Sequence, residues 1–340
     1  MTAMQLALAV AFLLLSAASD QASAQSCREM RKINIGVSVA PPNVVHTSPY
    51  IAKALGLFAA RCIDATIIQF DGGATGTAVT AVAQGRAVTT LPDVAIAQGL
   101  KGKQIWALAP RAPQAYVVAE NVKTAADLKG RKLSAAGGVG GFNWLIGREV
   151  LKTAGLTVDD AQFISQGTAG RLPGLVVGQI DGVLLHPEDV YIAQKQKPGV
   201  HVLVLLADLL PQLMFNAYGA SDDYIAHNGE LLRDTFAALI EANRTIYRDR
   251  DAVVPIMVEA TQKPREAVDY AWEVMTRNCI WSVNQGFRPE RSAWNIDNAI
   301  RNGDLDASKR IGFAQIVDAR LADEALAAAG GPTTIHGCKD

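Results

Sequence analysis

The 340-residue sequence predicts an α/β protein made of two similar units, and three observations support this class. Short apolar segments that suit β-strands alternate with segments of helical spacing up to about residue 185. Glycines and prolines separate these segments, as expected where strands and helices end. The residues from 220 onward have mostly helical spacing. Alternation of strands with helices predicts parallel sheets with right-handed crossovers.

The first unit is predicted from the residues before 110. Its strands are expected at 33–39, 65–70, 87–91 and 105–108. Its helices are expected at 49–58, 75–84 and 93–100, and Gly85 ends the second of them. The pair Pro41-Pro42 stops the first strand, because proline has no N–H group to donate within a sheet.

The second unit repeats this pattern. Its strands are expected at 116–119, 132–135, 161–164 and 182–185. A helical turn at 124–128 begins with Thr124 as its N-cap, a helix starts at Phe142 and ends before Gly155, and another covers 170–177. Further helices are expected at 231–246, 251–259, 264–275 and 288–302.

The first residues predict export from the cytoplasm. Residues 6–15 are entirely apolar, but about ten residues are roughly half of what a membrane-spanning helix needs. Ala22-Ser23-Ala24 is a small-x-small site, so we expect a signal peptide at 1–24 that is cleaved after Ala24. Cys27 follows Ala24-Gln25-Ser26, and we do not expect it to carry a lipid anchor. A soluble periplasmic protein is therefore expected, and the alternative is a buried N-terminal helix.

Composition limits the class of partner. The formal net charge is −1, so no basic field exists to attract nucleic acid. With 49% apolar residues, a chain of this length can bury two cores. No second apolar run is long enough to span a membrane.

The four cysteines predict two disulfides. Cys27 lies just before the first strand and Cys62 just before the second, and adjacent parallel strands start at the same sheet edge. We therefore expect Cys27 to pair with Cys62, and Cys279 with Cys338. No CxxC motif is present, so neither a metal site nor a redox cofactor is predicted.

A glycine-rich loop, "AAGGVGGF", lies between a predicted strand and a predicted helix. The N–H groups at such a helix start favour a small ligand, especially an anion. Gly141 is followed by Phe142-Asn143, which fits neither a P-loop nor a dinucleotide fingerprint. We expect Gly138 to Gly141 to cradle a ligand, with the segment 72–75 doing the same in the first unit. The alternative is a tight turn that allows close helix–sheet packing.

Four segments in order resemble the nitrate, sulfonate and taurine substrate-binding proteins of ABC importers, a group whose relatives include thiamine-pyrimidine synthases. The segments are SPYIAKALGLF (48–58), FDGGATGTAVTAVAQGRA (70–87), VKTAADLKGRKLSAAGG (122–138) and GRLPGLVVGQIDGVLLHPED (170–189). The resemblance implies an α/β, type II periplasmic-binding-protein fold, in which two crossing strands join two lobes and the ligand lies between them. Lobe one would comprise 25–113 and 218–340, and lobe two, inserted in it, 114–217.

This fold focuses attention on residues at the ends of strands. His46 and Thr47 follow the first strand, where the family that the chain resembles contacts ligand, and Asp93 is expected either to cap its helix or to bind ligand. The predicted ligand-binding residues are His46, Thr47, Gly73, Ala74, Thr75, Asp93, Gly138, Val139, Gly140, Phe142, Asn143, Trp144, His186 and Glu188.

The resemblance implies a monomeric transport protein that binds a small anionic or aromatic solute and delivers it to an ABC permease in the inner membrane. No Ser-His-Asp, HExxH or paired-carboxylate motif is present, so an enzyme is not expected. One alternative is an enzyme related to the thiamine-pyrimidine synthases, although their clustered-cysteine motif is absent. Another is a ligand-sensing partner of a membrane receptor.

Overall fold

The computed structural model describes residues 27–71 and 76–340. The predicted signal peptide and three predicted ligand-binding residues, Gly73, Ala74 and Thr75, lie outside the described residues. The fold presented below is that of the unit Arg31–Asp340.

The secondary structure alternates as the sequence predicts. The strands are β1 Arg31–Val37, β2 Ile63–Gln69, β3 Thr89–Thr90, β4 Gly102–Ala109, β5 Ala115–Val118, β6 Lys132–Ala136, β7 Gln162–Gln166, β8 Gly182–Leu185, β9 His201–Leu205 and β10 Asn216–Ser221. The helices are α1 Ser48–Ala54, α2 Thr77–Ala83, α3 Asp93–Ala97, α4 Phe142–Lys152, α5 Arg171–Val176, α6 Pro187–Gln196, α7 Leu206–Leu209, α8 Asp222–Arg248, α9 Arg250–Thr261, α10 Arg265–Arg277, α11 Pro289–Arg301, α12 Phe313–Ile316 and α13 Ala319–Ala328.

The first lobe is built on strands from both ends of the chain. β1 and β2 pair in parallel, and a bridge between Ile35 and Val88 joins β1 to the residue before β3. β3 and β4 both pair antiparallel with β10, which lies between them. The parallel pairing of β1 with β2 is as predicted, whereas the antiparallel β10 comes from more than 100 residues further along the chain.

The second lobe contains a five-stranded sheet in the order β7-β6-β8-β5-β9. β6 is parallel to β7 and β8, whereas β5 is antiparallel to β8 and β9. All five strands lie between Ala115 and Leu205, so the chain leaves the first sheet after β4 and returns to it at β10. Each lobe thus combines parallel strands with one antiparallel strand that adjoins a junction between the lobes.

Each lobe has its own hydrophobic core, as the composition predicts. In the first lobe Trp106 is fully buried and packs against Tyr218 and Phe236, with ring centroids 6.0 and 6.3 Å away. In the second lobe Tyr116 and Leu133 belong to a separate buried cluster. Separate cores in the two lobes are compatible with a hinge between them.

Several element boundaries differ from the predictions. α3 ends at Ala97 rather than at residue 100, because Gly99 has a φ of +108°, which is incompatible with a helix. α6 and β9 were not predicted, although Pro187 suits the start of a helix. α8 is longer than expected, with non-helical backbone at Asn228.

The expected disulfides are confirmed in part. Cys279 is bonded to Cys338, with 5.3 Å between their Cα atoms. Cys27 and Cys62 are each disulfide-bonded as well, and the described residues include no free cysteine. The pairing of Cys27 with Cys62 stays a prediction. Within the described parts of the chain, every helix is too short or too polar to cross a membrane.

Candidate functional site

A cavity of about 560 Å³ lies between the two lobes. The first lobe contributes residues at the ends of its strands, including Ser38 and Leu91, and the second lobe contributes the start of α4. The segment before β10 and helix α11 complete the wall. The residues used below are His46, Asp93, Gln104, Gln114, Gly140, Phe142, Asn143, Arg148, Glu149, Arg171, His186, Met214, Phe215, Asn295 and Asp304.

Aromatic rings cluster around Phe215, at the junction that leads into β10. Its ring centroid lies 5.9 Å from that of Phe142 and 6.4 Å from those of His46 and His186. The two imidazole rings meet edge to face, with centroids 5.5 Å apart. One part of the wall is therefore aromatic and comes from both lobes and the junction.

Both histidines are held neutral. Burial, with a smaller effect from the Arg171 charge, lowers the pKa of His46 to about 3. Burial also lowers the pKa of His186 well below its usual range, and the neighbouring His46 and Arg171 act in the same direction. These imidazoles therefore carry no positive charge at neutral pH, so neither can balance an anion.

Three buried polar atoms around this cluster have no hydrogen-bond partner among the described residues. The Gln114 amide Nε2 lies 3.3 Å from His186 Nε2 and is the donor of that pair, which places the ring proton on His186 Nδ1. Within the described residues, His186 Nδ1, His46 Nδ1 and Gln114 Oε1 have no hydrogen-bond partner. Because buried polar atoms in proteins are nearly always paired, these three atoms point to a ligand or ordered water.

Asp93 occupies another part of the wall and does not cap its helix. Pro92 is the N-cap residue, and Asp93 is the first residue of α3. Its carboxylate accepts hydrogen bonds from Gln104 Nε2 at 2.5 Å and from Asn295 Nδ2 at 3.0 Å. Burial raises the pKa of Asp93 to about 6, although both hydrogen bonds oppose the shift. The expectation that Asp93 caps α3 was therefore wrong.

Glu188 ties the lobes together outside the cavity wall. Its Oε1 accepts hydrogen bonds from Asn43 Nδ2 at 2.8 Å and from the Val44 N–H at 3.0 Å. Asn43 Oδ1 in turn accepts one from Arg171 Nη2 at 3.1 Å. Asp189 accepts from Asn43 Nδ2 at 3.0 Å. This buried network, which we call the Asn43 network, joins the first lobe to α5 and α6 of the second.

A second set of contacts joins the lobes through α4. Arg148 donates to both carboxylate oxygens of Asp304, at 2.8 and 2.6 Å. Glu149 Oε1 accepts from Asn302 Nδ2 at 2.9 Å. A bidentate pair of this kind fixes geometry as well as charge. The lobes are thus closed over the cavity by two separate polar contacts.

The glycine-rich loop uses part of its hydrogen-bonding capacity internally. The N–H of Gly138 donates to Ala135 O at 2.7 Å, and that of Gly141 to Gly138 O at 3.1 Å. Gly138 and Gly140 have φ values of +87° and +80°, so the turn itself requires glycine. Val139 is 76% exposed. The role of this loop in binding stays a prediction.

The predicted ligand-binding residues divide into two groups. His46, Asp93, Gly140, Phe142, Asn143 and His186 contribute to the cavity wall. Of the other described residues in the predicted set, Thr47, Gly138, Val139, Trp144 and Glu188 lie outside it. Thr47 donates to Val44 O, and Trp144 packs against Phe163 and Arg148, which explains their positions without a ligand.

Comparison with known proteins establishes the family. A model of the family described as NMT1/THI5 like matches residues 43–252, more than half of the 340-residue chain. The chain belongs to the NMT1/THI5-like family. A candidate binding protein of Brucella abortus strain 2308 is 28% identical over 127 residues, which cover 37% of this chain. The match spans 39% of that relative's own length.

Solved structures confirm the fold of this NMT1/THI5-like protein. The periplasmic aliphatic sulphonate binding protein SsuA of Escherichia coli matches with a TM-score of 0.66 at 20% identity, over 87% of this chain and 99% of SsuA. The periplasmic nitrate-binding protein NrtA of Synechocystis PCC 6803 matches with a TM-score of 0.68 at 16% identity, over 88% of this chain and 89% of NrtA. The desulfurization enzyme DszB, solved as a C27S mutant with biphenyl-2-sulfinic acid, matches with a TM-score of 0.61 at 14% identity, over 88% of this chain and 99% of DszB.

Several residues of the NMT1/THI5-like site escaped the sequence analysis. Phe215 and Met214 lie in a segment without periodicity, and Asn295 is one polar residue among many on α11. Asn295 Oδ1 also accepts a hydrogen bond from the Met214 N–H at 3.1 Å, and Asn295 Nδ2 donates one to Met214 O at 3.0 Å. Only the predicted boundary of the second lobe at residue 217 gave a signal for Met214 and Phe215, because crossing segments in this fold border the cleft.

Proposed function

We propose that this chain is an exported binding protein that captures a small organic solute between its lobes and delivers it to an ABC permease in the inner membrane. The observation that carries the proposal is the cavity of about 560 Å³, whose wall combines side chains of both lobes and of a junction. Hinge closure around a ligand is a known property of two-lobed binding proteins. Two solved neighbours named as periplasmic binding proteins support the proposal.

The proposed organisation follows from the strand arrangement. A signal peptide, 1–24, is removed after Ala24, and the mature protein is a periplasmic monomer. Lobe one comprises 25–113 and 218–340, and lobe two comprises 114–217. The location of β5 and β10 next to the two junctions supports these boundaries.

The proposed solute has an aromatic or apolar body. Phe142 and Phe215 both line the cavity, with ring centroids 5.9 Å apart, and aromatic side chains supply large apolar contact area. Two positively charged side chains contribute to the wall, and both are engaged. Arg148 binds Asp304, and Arg171 binds Asn43 and two carbonyl groups. A simple anion would therefore find no unengaged cationic side chain among the described residues of the wall.

The experiment begins with protein purified from the periplasm in non-denaturing buffer. Native mass spectrometry should detect a bound small molecule, and denaturation should release it chemically unchanged. Calorimetric titration of the released compound should then give about tenfold weaker binding for Phe215→Ala. Phe163→Ala is the matched control, because Phe163 is a partly buried aromatic residue outside the cavity wall and should leave binding unchanged.

The outcomes separate the alternatives. Release of a stoichiometric amount of a chemically altered compound would favour an enzyme, a possibility that the fold of DszB keeps relevant. Binding without any loss of uptake after deletion of the partner permease would favour a sensing role. Absence of a bound solute, together with no stabilisation by a broad solute library, would contradict the proposal.

A further inference from the structure

The carboxylate of Asp93 is the acidic group of the cavity wall whose charge is not balanced. The wall contains two other acids, and both have cationic partners: Asp304 binds Arg148, and Glu149 lies 3.3 Å from both Arg148 and Lys152. No ion pair to Asp93 is found within residues 27–71 and 76–340, and its contacts are with neutral amides. Asp93 is nonetheless only 3% exposed. A buried carboxylate in this condition carries an uncompensated cost of desolvation.

The neighbours of Asp93 add acceptors rather than donors. Gln104 Nε2 donates both to Asp93 Oδ1 and to Leu91 O, at 2.5 and 2.7 Å, so its two hydrogens are used. Gln104 Oε1 is buried and has no partner among the described residues. The Asn295 amide donates to Asp93 and to Met214 O. Its hydrogens are used as well.

Around Asp93 and Gln104, the positions that can still form hydrogen bonds are therefore acceptor positions. A carboxylate can accept about four hydrogen bonds, and Asp93 receives two from side chains. The backbone N–H of Asp93 also donates to its carboxylate, and Gln104 Oε1 adds a further open acceptor position. Carboxylate, sulfonate or nitrate oxygens placed here would face oxygen atoms, whereas N–H groups would complete the network.

We propose that Asp93 and Gln104 form an acceptor subsite that selects a solute carrying a cationic or N–H-donating nitrogen, such as an amidinium. The inference rests on the proposed function, since it names the polar group of the solute that the cavity captures. The raised pKa of Asp93 supports it, because a cation beside the carboxylate would offset the effect of burial. The aromatic body of the solute would extend toward Phe142 and Phe215.

The test uses four benzene derivatives that share one ring and differ in the polar group: benzamidine, benzamide, benzoate and benzenesulfonate. Calorimetric titration of the mature protein at pH 7.5 should rank benzamidine first, benzamide second and the two anions last. We expect about tenfold or more between benzamidine and benzoate, since hydrogen bonds to charged groups are the strong ones. This comparison needs no variant, so it stands even where a substitution disturbs folding.

Two variants assign the preference to the carboxylate. Asp93→Asn keeps the size of the side chain and should bring benzamidine and benzoate to within about threefold of each other. Asp297→Asn is the matched control, because it changes the net charge of the protein by the same amount. Asp297 lies on α11, outside the cavity wall, and pairs with Arg310. It should keep the wild-type ranking.

Three results would overturn the inference: equal or tighter binding of the anions, a benzamidine preference that persists in Asp93→Asn, or no binding of any of the four compounds. None of these would affect the proposed function if native mass spectrometry recovers an unchanged solute from the cavity. Conversely, failure to recover any solute would count against the proposed function whatever the ranking of the four probes.

Discussion

At low pH the free energy of unfolding should fall less for the His46→Gln variant than for the wild type. Burial lowers the pKa of His46 from 6.5 to about 3, and the side chain is 3% exposed. Below pH 6.5 the unfolded chain binds a proton on this ring that the folded chain does not bind. The free energy of unfolding must therefore fall as the pH falls from 6.5 toward 3.

The size of the effect follows from the shift. Each pH unit below 6.5 costs about 1.4 kcal/mol until the folded pKa is reached. At pH 4.5, His46 should therefore reduce the free energy of unfolding by roughly 3 kcal/mol relative to pH 7.5. Asp93, whose pKa is raised, acts in the opposite direction, since its contribution is present at low pH and lost as the pH rises through about 6. Wild type and variant share that contribution, so it cancels in the comparison.

Urea unfolding of wild type and His46→Gln at pH 7.5 and pH 4.5 measures the difference. The wild type should lose roughly 3 kcal/mol more than the variant between the two pH values. His227→Gln is the control, because His227 is exposed on α8, and its profile should parallel that of the wild type. Equal losses in wild type and His46→Gln would refute the argument that burial keeps this histidine neutral.

Three further predictions concern backbone, cross-links and closure. Gly140→Val should lower the free energy of unfolding by about 1–3 kcal/mol in urea titrations, because Gly140 has a φ of +80°. Joint replacement of Cys279 and Cys338 by serine should cost about 4 kcal/mol in the same assay, from the entropy of a loop that spans 59 residues. Arg148→Ala should destabilise the closed arrangement of the lobes by about 2 kcal/mol, since it removes both hydrogen bonds to Asp304. The radius of gyration measured by solution scattering should therefore increase. An unchanged result in any of these measurements would contradict the corresponding interpretation.

Local pattern predicted the type and order of most elements but not their partners in the sheets. Alternating apolar residues gave β1 and β2, and their parallel pairing follows from the crossover through α1. The place of β10 between β3 and β4 depends on pairing across more than 100 residues, which periodicity does not report. α6 was missed because its buried apolar face is narrow, although Glu188 and Asp189 in its first turn are typical of a helix start.

The candidate site was predictable where strands end. His46, Asp93 and His186 each follow a strand, and the structure places all three in one cavity wall, as expected at the carboxyl ends of parallel strands. Phe215 and Asn295 escaped prediction because they come from a junction and from a distant helix. Their location depends on how the second lobe is inserted into the first, and no local pattern carries that information.

Polar residues at the edges of the cleft have two different roles, and sequence position does not distinguish them. His186 and Glu188 are two residues apart, yet His186 lines the cavity and its Nδ1 has no hydrogen-bond partner among the described residues, whereas Glu188 Oε1 accepts two hydrogen bonds from the other lobe. Closure of a two-lobed protein needs groups of both kinds, because some must bind the solute and others must hold the lobes. Two criteria together decide: whether a side chain lines the cavity and whether it has an unsatisfied donor or acceptor, because Glu188 Oε2 is also unpartnered among the described residues but lies outside the wall. By these two criteria Gln104, whose Oε1 is unpartnered beside Asp93 in the wall, belongs with the groups that await a solute, and Glu188 belongs with those that close the lobes.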